Sequence, residues 1–295
     1  MALKLADLKK VRADKPPRVL IYGPPGIGKT TLASEFPNPV FLQIEDGTPG
    51  DLELTSFGKI DDFNQLMEAF AALYSEPHEF KTVVVDSVSE LQRLIFTETC
   101  RRGDEKGNAK NNVEDFGYGK GYVYAGRIWQ EFIEGINALR NARSMGVVLI
   151  AHSTISRFDD PETVSYDRYE IDLHGKSVGV IERDMDAILL LKQPVNVETE
   201  EVGFNKERNR AKGGNVILIH AQGRPAYTAK NRYNMPATLR YDKGAGFKVL
   251  AEYFAPTLKN TTKQEAGGSA SSEQGQKNQG SSGSPRTGNE RKEAA

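Results

Sequence analysis

The sequence predicts an α/β fold: a mostly parallel central sheet with helices on both faces and a β-rich C-terminal extension. Three observations point there. Apolar, β-branched runs bounded by turns, such as RVLIYG (18–23), KTVVVD (81–86), GVVLIAH (146–152) and DAILLLK (186–192), read as strands buried on both sides. The segments between them carry apolar residues at helical spacing, as in Phe63, Leu66, Met67, Phe70 and Leu73. The residues with chemical potential fall at the carboxyl ends of these runs, where open α/β sheets bind ligands.

Taken in order, residues 3–11 predict a short helix ended by Pro16 and Pro17, so 1–17 forms an N-terminal helix and linker. The strand 18–23 leads through a glycine-rich turn into a helix from Lys29 to about Glu35. PVFLQIED (39–46) is a second strand, and the helix around Phe63 to Leu73 follows. After strand 82–86, Val88, Leu91, Leu94 and Ile95 mark another helix. Residues 101–121, rich in Gly, Asn and charge, predict a long mobile loop. Trp129, Phe132, Ile133, Ile136 and Leu139 define a long helix before strand 146–152. An irregular segment is expected over 153–175, a short helix near 176–183, then strand 186–192. The region 194–231 is β-rich, with NVILIHA (215–221) and PAYTAKN (225–231). The folded domain spans 18–258. From Asn260 to Ala295 there is no Leu, Ile, Val, Phe, Tyr, Trp or Met, so 259–295 predicts a disordered Gly/Ser/Gln-rich tail.

Composition narrows the class. With 27 % charged residues and a net charge of −1, the chain has no overall basic character, and any nucleic-acid surface must be local. A single cysteine, Cys100, forbids an intramolecular disulfide and fits a reducing cytosol. MALKLADLKK lacks the apolar core of a signal peptide, and no apolar run approaches the ~18 residues of a membrane span. A soluble cytoplasmic protein without a membrane partner is expected.

GPPGIGKT (23–30) fits G-x-x-x-x-G-K-[ST] between a predicted strand and a predicted helix, the context this phosphate loop requires. Gly23, Pro24, Pro25, Gly26, Ile27, Gly28, Lys29, Thr30 and Thr31 would wrap the phosphates of ATP. Lys29 would reach the β- and γ-phosphates and Thr30 would ligate Mg²⁺. Asp86, ending a buried strand, would complete the Mg²⁺ site through water. The next residue, Ser87, cannot deprotonate water, so the residue that orients the attacking water must come from elsewhere. Glu45, at the end of the second strand, is the first candidate; Asp46 is the alternative if the register is off by one.

GPPG-x-GKT alone resembles AAA-type ATP-binding proteins, in which a glutamate stands directly beside the strand aspartate. The combination Val85, Asp86, Ser87 and Glu45 resembles the RecA-like P-loop ATPases instead. Over about 20–250 the order of motifs is similar to a phage-encoded RecA-like family of minimal ATPase cores, some of them single-strand-annealing recombinases. That resemblance implies further roles. His152, ending VVLIAH, would sense the γ-phosphate and signal to a following DNA-binding loop; ordinary hydrogen bonding is the alternative. Lys230 and Arg232, in YTAKNRYNMP, match a Lys-Asn-Arg motif whose cations reach the γ-phosphate of a neighbouring subunit; a solvated turn is the alternative. The resemblance also implies a homo-oligomer, ring or filament, with shared ATP sites. Single-stranded DNA and a single-strand DNA-binding protein would be partners, and the host cytoplasm the location.

DNA would meet two segments. In 101–121, Arg101, Arg102, Lys106, Lys110 and Lys120 could track phosphates while nearby aromatics stack on bases, although acidic residues dilute the charge. In 153–175, Arg157 and Arg168 follow the proposed sensor. The function so predicted is a DNA-stimulated ATPase that oligomerises on single strands and promotes annealing. An ATP-fuelled remodeller, helicase loader or DNA motor is the alternative. A small-molecule phosphotransferase is a third reading, hinted at only by Arg101-Arg102. No N-K-x-D motif points to GTP.

Overall fold

Strand β1 (Arg18–Gly23) lies in the middle of the sheet of the computed structural model, and its composition explains why. Val19, Leu20, Ile21 and Tyr22 are fully buried, so the strand needs a neighbour on each edge and a helical layer on each face. Its neighbours are β5 (Gly146–Phe158) and β7 (Ala187–Lys192), both parallel to it. Beyond β5 lie β4 (Thr82–Asp86), β2 (Pro39–Gln43) and the short edge strand β3 (Ser56–Lys59), again parallel. Beyond β7 the sheet turns antiparallel, through β10 (Ile217–His220) to β12 (Thr238–Tyr241). The order is β3-β2-β4-β5-β1-β7-β10-β12, and the two-residue β11 (Lys230–Asn231) pairs with the start of β7.

The structure describes residues 15–201 and 207–254 with Leu5 and Leu8; for 196–201 and 207–213 it describes the backbone alone. All of these belong to the compact unit Met1–Thr261. The helix expected over 3–11 and the tail expected over 259–295 lie outside the described residues. Among the described residues, no helix is long and apolar enough to cross a membrane.

Alternate residues of each strand enter opposite cores, as strand geometry requires. Leu20, Tyr22, Val83, Val85, Val147 and Leu149 pack with helices α2 (Phe63–Ser75), α3 (Val88–Arg102), α4 (Lys120–Ala142) and α5 (Gly175–Asp184). Val19, Ile21, Val84, Val148 and Ile150 face α1 (Lys29–Ser34) and the helix over 246–254, α6, through Leu32, Phe36, Leu250 and Phe254. Asp62 caps α2, its carboxylate accepting from Gln65 N at 2.9 Å, and Ser87 caps α3.

The structure departs from the sequence expectation in several places. Strand β2 stops at Gln43 rather than residue 46, because Ile44 N and Glu45 N both donate to the Asp86 carbonyl, at 2.7 and 3.2 Å, and bend the chain around the end of β4. The loop expected over 101–121 is shorter. Helix α3 runs to Arg102, held by Glu98 pairing with Arg101 and Arg102 one turn on, and stops at Gly103 with φ 79°. A 3₁₀ turn at Val113–Phe116, closed by a capping box between Asn112 and Asp115, leads into α4.

The segment 153–175 is not irregular. Strand β5 continues past the sheet to Phe158 and returns antiparallel as β6 (Tyr166–Ile171), from Ser153 opposite Ile171 to Phe158 opposite Tyr166. Strand β3 was not expected; it is short, and Phe57 on it is 54 % exposed. The β-rich region 194–231 resolves into the hairpin β8 (Val195–Glu201)–β9 (Glu207–Gly213), then β10 and β11. Within 225–231 only Lys230–Asn231 forms a strand.

Candidate active site

Parallel strands β2, β4, β5 and β1 lie side by side, so their carboxyl ends form one edge. The phosphate loop follows β1 on that edge. Gly26 and Gly28 adopt φ of 73° and 104°, left-handed values that a side chain would strain. Lys29 is buried and donates to the Gly23 carbonyl at 3.0 Å and the Pro24 carbonyl at 3.1 Å. Burial pushes its pKa below the ordinary lysine value, against the pull of Asp86 and Glu45.

Thr30 Oγ1 donates to Asp86 Oδ2 at 2.8 Å, bridging the start of α1 and the end of β4. Burial pushes Asp86 above the usual carboxylate range and Glu45 adds to that, while the Thr30 hydrogen bond, Lys29 and His152 oppose it. A hydroxyl and a carboxylate in contact form the hard-oxygen pair that Mg²⁺ takes from protein when phosphates and waters complete its octahedron. Asp86, held in contact with Thr30 at the wall of the phosphate-loop cavity, fits that role.

The glutamate stands where β2 bends around the end of β4. Glu45 accepts from the Ser87 hydroxyl, and His152 Nε2 lies 3.1 and 3.0 Å from its two oxygens. His152 N in turn donates to Ser89 Oγ at 3.0 Å, and its Nδ1 is buried without a partner. Ser87 Oγ also accepts from Glu90 N at 3.3 Å. Ser87 therefore does two things: it starts α3 and it aims Glu45. One cavity of about 420 Å³ is lined by Gly26, Gly28, Lys29, Thr30, Thr31, Glu45, Asp86 and His152. The structure thus brings together the phosphate loop, Asp86, Glu45 and His152, and leaves Asp46 off the cavity wall.

Lys230 and Arg232 are not in that group. Lys230 pairs with Ile188 on β11, and its ammonium donates to the Glu182 and Arg183 carbonyls at 2.5 and 3.4 Å, at the end of α5. Arg232 reaches Asp186 at 3.1 Å, where Arg18 and Arg140 also converge, at 3.1 and 3.0 Å. Burial raises Asp186, but the arginines outweigh it and hold its carboxyl below the usual range. This knot lies at the amino ends of β1 and β7, opposite the phosphate loop.

Among the candidate DNA contacts, Arg101 and Arg102 lie on α3 rather than in a loop. Glu98, 5 % exposed, binds both, and Arg102 also forks onto Glu131 at 2.5 and 2.9 Å. They form no lid over the phosphate cavity. Lys110 pairs with Asp104 at 3.5 Å, and Arg157, on the outer part of β5, with Asp159 at 3.4 Å. Arg168 binds Glu170 at 2.5 Å and stacks on Phe158 at 3.8 Å, bracing the hairpin. Lys106 sits in the turn after Asp104, and Lys120 opens α4.

Sequence reasoning missed three residues. Ser87 had a legible signal, a cap residue with Glu90 three positions on. Glu35 and Lys243 had none, because 209 or more residues separate Glu35 from the backbone it binds after β12. Lys243 lines the phosphate cavity from that distant segment.

The family model described as "AAA domain" matches residues 15–233, a span that contains the phosphate loop, Glu45, Asp86, His152 and Arg232. No curated protein matches the chain. Among solved structures the chain is similar to one described as "Crystal structure of the RadB recombinase", with 13 % sequence identity and a TM-score of 0.41 over 77 % of this chain and 86 % of that one.

Proposed function

We propose, from the premise that the chain belongs to the AAA domain family and is a nucleotide-hydrolysing P-loop ATPase, that it hydrolyses ATP with Mg²⁺ and couples this to single-stranded DNA. It would oligomerise on the strand and promote pairing of complementary strands. The observation that carries this reading is the placement of Glu45. It stands beside Asp86, held by Ser87 and His152, and His152 lies on the strand that runs on into the β5–β6 hairpin. A change at Glu45 can therefore reach the hairpin through its hydrogen bonds to His152 and the continuous β5 backbone.

In this reading Lys29 and the loop amides neutralise and orient the phosphates, and Thr30 and Asp86 hold Mg²⁺, which supplies charge stabilisation to the transferring group. Glu45 orients the attacking water and takes its proton. Lys230 and Arg232 serve a neighbouring subunit's site. Lys106, Lys110, Lys120, Arg157 and Arg168 face DNA, the acid-paired ones exchanging their partners for phosphate, whereas Arg101 and Arg102 are held on α3 by the buried Glu98, and Arg102 also by Glu131.

Within the second reading, an ATP-fuelled remodeller, helicase loader or DNA motor, one observation favours a remodeller or loader acting on a protein: Arg101, Arg102, Lys110, Arg157 and Arg168 each have an acidic partner. ATPase rates with and without single-stranded DNA, beside a strand-annealing assay, separate the two. DNA-stimulated turnover with ATP-dependent annealing supports the first reading. Turnover indifferent to DNA sinks it in favour of the second, and no phosphate release sinks both.

A further inference from the structure

The segment after β12 folds back onto α1 and is pinned there by one carboxylate. Glu35, at the end of α1, accepts from Gly244 N at 2.7 Å, Gly246 N at 2.5 Å, Phe247 N at 3.1 Å and the Tyr241 hydroxyl at 3.1 Å. Gly246 fits because it has no side chain: a Cβ there would lie 2.4 Å from both Leu32 and Tyr241. The chain is thus fixed on both sides of Lys243, before it by Tyr241, through its hydroxyl and its β12 pairing, and after it by the bound backbone N–H groups.

Lys243 extends from this clamp across the phosphate loop. Its Cε lies 3.4 Å from where a Cβ on Gly28 would stand, and it lines the same cavity as Lys29, Thr30 and Asp86. Its sequence neighbour Asp242 is engaged with Arg240 at 3.1 Å, and among the described residues no carboxylate forms an ion pair with Lys243. Three carboxylates, Glu45, Asp51 and Asp86, line the cavity, so a polyphosphate would meet considerable negative charge with Lys29 as the one opposing lysine of the loop. Residue 243 lies beyond the 15–233 segment that the family match covers.

We propose that Lys243 is a second polyphosphate-binding cation, supplied by the same chain. Its ammonium donates to phosphate oxygens of a nucleoside di- or triphosphate on the Gly28 side of the loop. Glu35 is the positioning residue that holds it there. The proposal rests on reading the loop as a nucleotide site.

Equilibrium binding of ATP, ADP and AMP to the full chain tests it, with Lys243→Ala, Lys243→Arg and Lys29→Ala compared. Lys243→Ala should weaken ATP and ADP about tenfold, the scale of one charge-assisted hydrogen bond, while Lys243→Arg stays near wild type. AMP binding should be the same in both Lys243 variants and wild type. The side chain is exposed, so melting without nucleotide should not change. Glu35→Gln should weaken ADP in the Lys243 background but add nothing to Lys243→Ala. If Lys29→Ala loses nucleotide and Lys243→Ala does not, the proposal is overturned and the site stands. Equal weakening of AMP, ADP and ATP would place Lys243 on the nucleoside and also overturn it. Unchanged binding in Lys29→Ala would remove the nucleotide reading itself and the proposal with it.

Discussion

Glu45, Ser87 and His152 form a unit in which each residue limits the others. Ser87 and His152 leave Glu45 little rotational freedom, which is the condition for orienting a water rather than solvating a surface. Glu45→Gln should keep ATP affinity within a few-fold and lower turnover at least about 100-fold, read by phosphate release. Unchanged turnover would move the role to Asp46 or elsewhere. Asp86 makes a different prediction, about the fold without ligand. Its pKa is raised by burial, so the native state holds the proton more tightly than the unfolded chain. The contribution of Asp86 to stability is therefore fully present below the ordinary carboxylate value and is lost as pH rises through the raised one. Asp86→Asn, which can still accept from Thr30, should melt with wild type near pH 3.8 or below. Above that window it should melt higher by on the order of 2–4 °C, while losing Mg²⁺-dependent turnover. A constant difference across pH would show that ionisation of Asp86 is not the cause. Lys29, Asp86 and Glu45 were legible in the sequence because strand ends and the loop motif announce them. The aim of Glu45 was not, since it depends on two backbone N–H groups bending around the Asp86 carbonyl.

Helices and strands were legible where burial dictates composition and illegible where it does not. Strands β1, β4, β5 and β7 are apolar because both faces are covered; β3 and the outer hairpin are not covered, and their mixed polarity reads as loop. Helix α4 shows how neighbours decide the sign of a single substitution. Gly126 has open space where a Cβ would stand, so Gly126→Ala should stabilise by about 1 kcal/mol, the ordinary helix-propensity gain. At Gly135 the same atom would lie 2.6 Å from the Phe70 ring. The ring is buried against Phe132 at 5.9 Å, so it cannot swing away without disturbing the α2–α4 contact. Gly135→Ala should therefore lower stability by roughly 1–3 kcal/mol in chemical denaturation, despite the propensity gain. A rise in both variants would mean the α2–α4 seam yields. The hairpin makes the functional prediction at this scale. Joining β5 to β6 by a tight turn after Ser153 should leave basal ATPase intact and abolish DNA stimulation. Retained stimulation would place DNA elsewhere.

For the molecule as a whole, the strand order sets two opposed edges. The carboxyl edge carries the phosphate loop, Asp86, Glu45 and His152; the amino edge carries Lys230, Arg232 and the arginine knot on Asp186. From the Arg18 level to Gly23 the chain climbs roughly 16 Å at ~3.3 Å per residue, beyond the reach of an arginine side chain. Arg232 therefore cannot serve its own loop, and a role at a γ-phosphate requires a second copy packed head to tail, a heterologous contact that closes as a ring or extends as a filament. The sequence carried the Lys-Asn-Arg pattern but not this opposition, which exists only once the sheet is ordered. A mixing experiment tests it. Arg232→Ala has an intact Glu45 but no finger to give; Glu45→Gln has the finger but cannot hydrolyse. Each alone should be near inactive. Mixed equally and allowed to exchange, about a quarter of interfaces would place an intact Glu45 opposite an intact Arg232, and turnover should recover to about that fraction of wild type. Arg18 and Arg140 remain on Asp186 in the Arg232→Ala chain, so loss of fold is not the expected reason for its inactivity; a melting curve checks this directly. Folded but unrescued mixtures would leave Arg232 as a structural partner of Asp186, and would remove the shared site from the function proposed.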